Sequence, residues 1–133
     1  ANYVPFVKTG KLVFISGQVP FVDGKLTMTG RLGDNATVED GYAQARICAI
    51  NLIANLKVAC DGDLDRVTRV VKLGGFVAST DDFNSQPPVV NGASDLMVEA
   101  FGDAGRHARF AVGTNALPLG CIVEVDGVFE IDG

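Results

Sequence analysis

A long helical stripe of apolar residues constrains this chain more than any other feature. Thr37 and Asp40 have the spacing of a capping box, and Asp61-Gly62-Asp63 predicts where the helix ends. Between them, apolar residues recur at alternating steps of four and three: Val38, Tyr42, Ala45, Ala49, Leu52, Leu56 and Ala59. This spacing predicts a helix of about six turns with one apolar face, which needs a sheet to pack against.

Segments typical of β-strands lie on both sides of this helix. Two strands are predicted before it at residues 3–7 and 11–17. Asp23-Gly24 is a strong hairpin signal, and residues 19–22 and 25–29 flank it. After the helix, strands are predicted at residues 67–78, 108–113 and 122–131, which are rich in valine and other apolar side chains.

A second helix is predicted between the strands at 67–78 and 108–113. It begins after Ser85, because Pro87 and Pro88 are tolerated in a first helical turn, and ends at Gly102. The order of elements predicts a single α+β domain over residues 1–133, a sandwich with two helices on one face of a mixed six-stranded sheet. The other sheet face would be apolar and uncovered. Trimerisation or dimerisation is the simplest way to cover it.

Composition and charge exclude several classes of function. Of the 133 residues, 47% are hydrophobic and 20% are charged, which agrees with a further apolar surface buried between subunits. The net charge of −5, without a basic tract, argues against a nucleic acid as the main partner. No apolar run approaches the ~18 residues that a membrane span needs. Three cysteines without metal-ligand spacing and one histidine predict no metal site and a reducing, cytoplasmic location.

Two charges of opposite sign lie in the last two predicted strands. Arg109 is surrounded by small and apolar residues, and Glu124 lies among valines. A buried, unpaired ion is costly, so each charge needs a partner or a purpose. Arg109 could form an ion pair with Glu124, or it could form a structural ion pair at a subunit edge. Glu124 could instead face solvent. The two could also be held apart to bind a small anion and a water molecule.

Short motifs along the whole chain occur in the order found in one known family. They are Ser16-Gly17-Gln18 with Pro20, Gly75-Phe76-Val77, Asp82-Phe83, Arg109 with Leu117-Pro118, and Val123-Glu124-Val125. Together they resemble the Rid family of reactive intermediate deaminases, also called YjgF. The resemblance implies a chorismate-mutase-like fold, a homotrimer and clefts between subunits. It also implies hydrolysis of enamine or imine intermediates such as 2-aminoacrylate to a 2-keto acid and ammonia, without a cofactor.

The same resemblance implies roles for individual residues. Arg109 would bind the carboxylate of the substrate, and Glu124 would orient the attacking water. Tyr3, thirteen residues before Ser16, matches the family's pocket tyrosine, and Ser16 matches its pocket serine. From the residue type alone, Gly17 is a position where a ligand could approach the backbone, although strand glycines more often mark bulges.

Three features depart from the family pattern and indicate a variant subgroup. Ala111 stands where the best-studied branch has cysteine, but this substrate-binding position contributes mainly backbone. Phe110 replaces a small residue, and the segment 82–101 is several residues longer than usual. Phe110 and the longer segment favour an alternative function, a non-catalytic carboxylate-binding or chaperone-like module. A third alternative, the endoribonuclease of the family's older label, is opposed by the acidic charge.

Two further polar residues are predicted to have ordinary surface roles. Asn91 could offer an amide from the second helix, although a solvated helix face is the preferred interpretation. His107 lies at the start of a predicted strand, where a surface or capping histidine is favoured over a catalytic base.

Overall fold

Both predicted helices form in the computed structural model, which describes residues 1–133. Helix α1 spans Val38–Ala59 and helix α2 spans Gln86–Phe101. The capping box of α1 is present: the Asp40 amide donates to Thr37 Oγ1 at 3.1 Å, and the Thr37 amide donates to Asp40 Oδ2 at 3.0 Å. Neither helix is long and apolar enough to cross a membrane.

Five strands form the main sheet: β1 (Phe6–Thr9), β2 (Leu12–Gln18), β5 (Val67–Ala78), β6 (Ala108–Thr114) and β7 (Val123–Ile131). Their order across the sheet is β1-β2-β7-β5-β6. Strands β5 and β6 run parallel, whereas the other neighbours are antiparallel, so the sheet is mixed as predicted. Strand β6 therefore forms one edge of the sheet, and β1 forms the other.

The main sheet has five strands and not the predicted six, and the hairpin around Asp23-Gly24 does not join it. Its strands, β3 (Phe21–Val22) and β4 (Lys25–Leu26), pair only with each other. The side chain of Asn51 on α1 donates to the carbonyls of Val19 and Phe21, both at 3.1 Å. These bonds hold the hairpin against α1, while β7 occupies the free edge of β2.

The two faces of the sheet differ in what covers them. Both helices pack on one face, where side chains such as Leu73, Val125 and Phe129 are completely buried. We call the other side the open face. It carries Val7, Phe14, Phe76, Phe110, Val112, Glu124, Asp126 and Val128. Four of these apolar side chains are 42–54% exposed, so the predicted uncovered apolar face is present.

Helix α2 lies unusually close to α1, and this fixes the polar residues that α2 presents to β6. A Cβ atom at Gly92 would overlap the Tyr42 carbonyl oxygen of α1, and one at Gly41 would lie 2.7 Å from Val89. Only glycine permits these contacts without a shift of the backbone or of a packed side chain. The close packing sets the position of Asn91 and Ser94 relative to the sheet.

Candidate functional site

Arg109 is held in place by two side chains of helix α2. It lies opposite Leu73 in the β5–β6 register and therefore points to the helix-covered face, at the edge of the sheet. Its Nη1 donates to Asn91 Oδ1 at 2.8 Å and to Ser94 Oγ at 3.1 Å. None of the four ion pairs in the chain includes Arg109. Its Nε and Nη2 donors are thus free to bind an anion.

His107 is connected to Arg109 through a hydrogen bond with Ser94. Its Nε2 lies 2.8 Å from Ser94 Oγ, and its Nδ1 lies 2.6 Å from the Gly105 carbonyl oxygen. We call Asn91, Ser94, His107 and Arg109 the arginine cluster. An open depression of about 300 Å³ adjoins it, lined by Ser94, Asp95, Val98, Arg106, His107 and Arg109.

The arginine cluster adds a contact to each of two sequence-based interpretations. Asn91 is exposed on α2, as expected, and its side-chain oxygen also accepts from Arg109. His107 does cap a backbone carbonyl, as one expectation had it, but its second nitrogen also contacts Ser94. The spacing Asn91–Ser94 was the available signal, since residues three apart share one face of a helix.

Glu124 lies on the open face and has no hydrogen-bond donor within the chain. It is opposite Phe76 in the β5–β7 register and is half-buried. Burial raises the pKa of its carboxyl group, and the charge of Asp126 raises it further. A Cβ at Gly17 would overlap Glu124 Oε2, so the carboxylate lies directly over the backbone of Gly17. The register of β2 is irregular at this point, between Ile15 and Gln18.

Ser16 and Tyr3 lie at the β1–β2 side of the sheet, and Ser16 precedes Gly17 in the chain. Ser16 Oγ donates to the Val4 carbonyl at 2.8 Å, and Tyr3 is 70% exposed, before the start of β1. An open depression of about 330 Å³ contains both, with Gln18 and Asn55 also in its wall. We call Tyr3, Ser16, Gly17 and Glu124 the glutamate cluster.

Asn55 is the residue of this depression that the sequence reasoning missed. It belongs to α1, and its Nδ2 donates to the Asn51 carbonyl one turn earlier at 3.0 Å. The only signal in the sequence is an asparagine four residues after Asn51, beside the apolar stripe. That signal does not distinguish a pocket residue from a solvated one.

Within one chain, the arginine cluster and the glutamate cluster do not meet. Arg109 points to the helix-covered face and Glu124 to the open face, so the two charges cannot pair with each other. Strands β5 and β7 also separate β6 from β2, a distance of roughly 14 Å at the usual spacing of strands. Ala111 shares the face of Arg109 and packs against the core.

Phe110 does not narrow the depression beside Arg109, because it lies on the opposite face. Its ring packs edge-to-face on Phe76, with 5.3 Å between the ring centroids, and Lys72 Nζ lies 5.6 Å from its centroid. A Cβ at Gly74 would lie 2.6 Å from this ring, so glycine at that position makes room for it. The bulky residue thus belongs to the open face.

The chain offers little for metal binding or for thiol chemistry. No group of three histidine, cysteine, aspartate or glutamate side chains is close enough to hold a metal ion. Cys48, Cys60 and Cys121 are all free and buried. Burial raises the pKa of Cys121 to about 11, with the charge of Glu124 contributing, so this thiol is protonated near neutral pH and is a poor nucleophile.

Comparison with known proteins identifies the family. Residues 1–130 match the family described as "YjgF/chorismate mutase-like, putative endoribonuclease". The chain belongs to this family. The prediction drawn from the motifs is therefore confirmed at the level of family and fold, with two helices on a mixed sheet.

Three relatives show how far the similarity extends. Protein TCP17 of Trypanosoma cruzi is 49% identical over 132 residues, which cover 98% of this chain and 82% of that protein. The structure of Atu1372 from Agrobacterium tumefaciens is 47% identical with a TM-score of 0.97, over 99% of this chain and 83% of that one. RidA from an Antarctic Psychrobacter species is 27% identical with a TM-score of 0.64, over 98% and 89%. The lower TM-score agrees with a variant subgroup.

Proposed function

We propose that this protein is an imine and enamine deaminase that works as a homotrimer, without a cofactor, in the cytoplasm. It hydrolyses intermediates of the 2-aminoacrylate type to a 2-keto acid and ammonia. The observation that carries the proposal is the state of Arg109: two hydrogen bonds fix its guanidinium, no carboxylate pairs with it, and two donor groups remain free. A planar fork of this kind suits the carboxylate of a small 2-imino acid.

The complete site requires two chains, because a single chain separates the two clusters. If three sheets close into a ring through their open faces, the β6 edge of one chain comes beside the β1–β2 edge of the next. The arginine cluster of one subunit and the glutamate cluster of its neighbour then line one cleft. The exposed Phe14, Phe76 and Val112 support this association, since an apolar face of this kind is usually buried in an assembly.

The reaction needs one group that binds the substrate and one that moves protons. Arg109 holds the carboxylate of the imine tautomer, with Nε and Nη2 donating to its two oxygens. The imine reacts in its N-protonated form, and Glu124 takes a proton from water as the water oxygen attacks the imine carbon, which gives a carbinolamine. Glu124 then gives that proton to the amino nitrogen, and the C–N bond breaks as ammonia leaves. The proton of the new hydroxyl group passes to Glu124 and then to the ammonia, so a 2-keto acid remains. The raised pKa of Glu124 suits these proton transfers.

Two other functions compete with this proposal. A carboxylate-binding module without turnover would use the arginine cluster alone and leave Glu124 idle. Some family members are described as endoribonucleases. A net charge of −5 does not favour RNA as the substrate of this chain, because RNA binding is driven by cationic contacts to phosphate.

The test is ammonia release from 2-aminoacrylate generated in situ. We expect Arg109→Ala to lose about 100-fold or more in kcat/KM, because a charge-assisted bidentate contact is lost. The matched control is Arg46→Ala, which removes an exposed arginine paired with Glu99 at 3.0 Å and lies in neither cluster. Wild-type protein that is inactive on several imino acids, yet is stabilised by their carboxylates, would indicate the binding module instead.

A further inference from the structure

A chain of hydrogen bonds connects Arg109 to the backbone through Ser94 and His107, and its polarity is fixed. The Gly105 carbonyl can only accept, so His107 Nδ1, 2.6 Å away, must carry a proton. In neutral imidazole Nε2 then has none and accepts from the Ser94 hydroxyl at 2.8 Å. The oxygen of Ser94 is left to accept from Arg109 Nη1 at 3.1 Å. Each donor has one acceptor.

The far end of this chain of bonds is rigid. Gly105 is buried in the short turn that follows α2, and a Cβ there would overlap the Met97 carbonyl oxygen. Its own carbonyl is therefore held in a fixed position against α2, and so is the imidazole bonded to it. Because the imidazole ring is fixed, its hydrogen bond to Ser94 also fixes the orientation of the Ser94 hydroxyl group on α2.

Arg109 needs two contacts, because a long side chain on an edge strand is otherwise free to rotate. Asn91 alone would fix one proton of Nη1 and leave the guanidinium plane able to turn about that bond. Ser94 fixes the second proton, so the two bonds together define the plane. The orientation of that plane decides where Nε and Nη2 point.

We propose that Ser94 and His107 are positioning residues, which act through Arg109 and aim its free donors at a carboxylate. The assignment of that carboxylate to an imino acid rests on the proposed function. The fixed tautomer of His107 does not, since it follows from the hydrogen bonds alone. The pair lies outside the motifs by which the family was identified, and no direct contact with the reacting atoms is required of it.

The first measurement needs no ligand. His107 is the only histidine, so the ¹⁵N spectrum of the imidazole ring is unambiguous. Under conditions where the ring is neutral, we expect a protonated Nδ1 and an unprotonated Nε2 in the wild type. We expect this preference to weaken in Ser94→Ala, which also retains helix propensity. A wild-type ring with the proton on Nε2 would overturn the proposal.

The second measurement separates positioning from general damage to the structure. Ser94→Ala and His107→Leu should each raise KM and the Kd for pyruvate, the keto-acid product, about tenfold, with kcat changed less than about threefold. His107→Gln, which keeps an acceptor near the place of Nε2, should recover most of the loss. The double variant should be no worse than either single variant, because both act through one chain of bonds.

Tyr42→Phe is the matched control. It removes a hydrogen bond of 2.6 Å from Tyr42 to Asp95, the residue beside Ser94 on α2, but it does not touch the arginine cluster. Its KM and pyruvate affinity should equal those of the wild type. Losses that multiply in the double variant, or a His107→Gln as weak as His107→Leu, would overturn the positioning role.

The same experiments distinguish failure of this inference from failure of the proposed function. A wild type that binds pyruvate without turnover, and loses binding in both Arg109→Ala and Ser94→Ala, would end the deaminase proposal but support positioning. If the wild type turns over 2-aminoacrylate and Ser94→Ala and His107→Leu are as active as the wild type, the deaminase proposal would be supported and the positioning role overturned.

Discussion

The arginine cluster and the glutamate cluster differ in how completely one chain builds them. Each polar group that holds Arg109 is itself held, by a helix or by a buried carbonyl. Glu124, in contrast, has no donor, and Tyr3 of the same cluster is 70% exposed. One cluster is therefore preorganised within the chain. The other is left with an unpaired carboxylate and an open wall, which a neighbouring copy could complete.

The electrostatics of Glu124 also indicate that the glutamate cluster is incomplete in a single chain. Burial and the nearby Asp126 raise the pKa of Glu124, and no cation of the chain offsets them. In the proposed trimer, a neighbour's Arg109 would favour the ionised carboxylate and offset part of this rise in pKa. The difference between the two clusters therefore predicts that the chain must assemble to be active. A variant that cannot assemble tests this prediction.

The largest effect is expected from a charge on the open face. Phe14 lies there, 44% exposed, with its neighbours in the strand buried in the core. Phe14→Asp should convert the proposed trimer to monomer, because an interface does not tolerate an unpaired buried charge, and ammonia release should fall to the uncatalysed rate. Sedimentation and the ammonia assay measure the two effects.

Val58→Asp provides the control for this substitution. Val58 is 65% exposed on α1, on the helix layer rather than the open face. The same change there should leave both the sedimentation and the activity unaltered. If Phe14→Asp also remained trimeric and active, the open face would not be the interface, and the two clusters would have to meet in another way.

The next largest effect is expected from Glu124→Gln, which keeps the shape of the side chain but removes the base. We expect kcat to fall by about 10² to 10³, in the range usual for the loss of a general base. Glu130→Gln is the control, on the same strand and face, where Glu130 accepts from Thr68 Oγ1 at 2.7 Å. Its activity should match the wild type. Equal losses in both variants would remove the special role of Glu124.

The raised pKa of Glu124 also predicts a pH dependence with a definite sign. The base must be ionised, so activity should rise with pH through the raised pKa and level off above it. Stability behaves in the opposite sense. The folded chain binds the proton more tightly than the unfolded chain, so the contribution of Glu124 to stability falls as pH rises from about 4.3, the unfolded value, through the folded pKa. Thermal melts of dissociated Phe14→Asp, with and without Glu124→Gln, should show this difference.

The sequence could predict the helices and most strands because local patterns decide them. The stripe from Val38 to Ala59 and the box of Thr37 and Asp40 leave few alternatives to a helix. The place of the Asp23-Gly24 hairpin was predicted wrongly because hydrogen bonds from Asn51, distant in sequence, decide it. Local patterns describe each segment but not its partner.

The candidate site was less predictable because it depends on register. Whether Arg109 and Glu124 share a face is decided by the pairing of β5 with β6 and β7, and a shift of one residue would reverse the answer. The role of Asn91 likewise depends on how closely α2 approaches the sheet. The sequence motifs predicted Arg109 as a site residue, whereas the residues that hydrogen-bond to it can be identified only from the tertiary structure.

The smallest effect is expected from Gly17→Ala, which tests whether Gly17 and Glu124 of the glutamate cluster act together. Gly17→Ala would place a methyl group where Glu124 Oε2 now lies, so the carboxylate must move while the backbone can stay. We expect a loss of about tenfold in kcat, as for a base that is present but displaced. In a Glu124→Gln background, the same substitution should cost less than about twofold, because its effect acts through the base. A full tenfold loss there would mean that Gly17 serves the substrate directly through its backbone, and that the glutamate cluster has two independent parts.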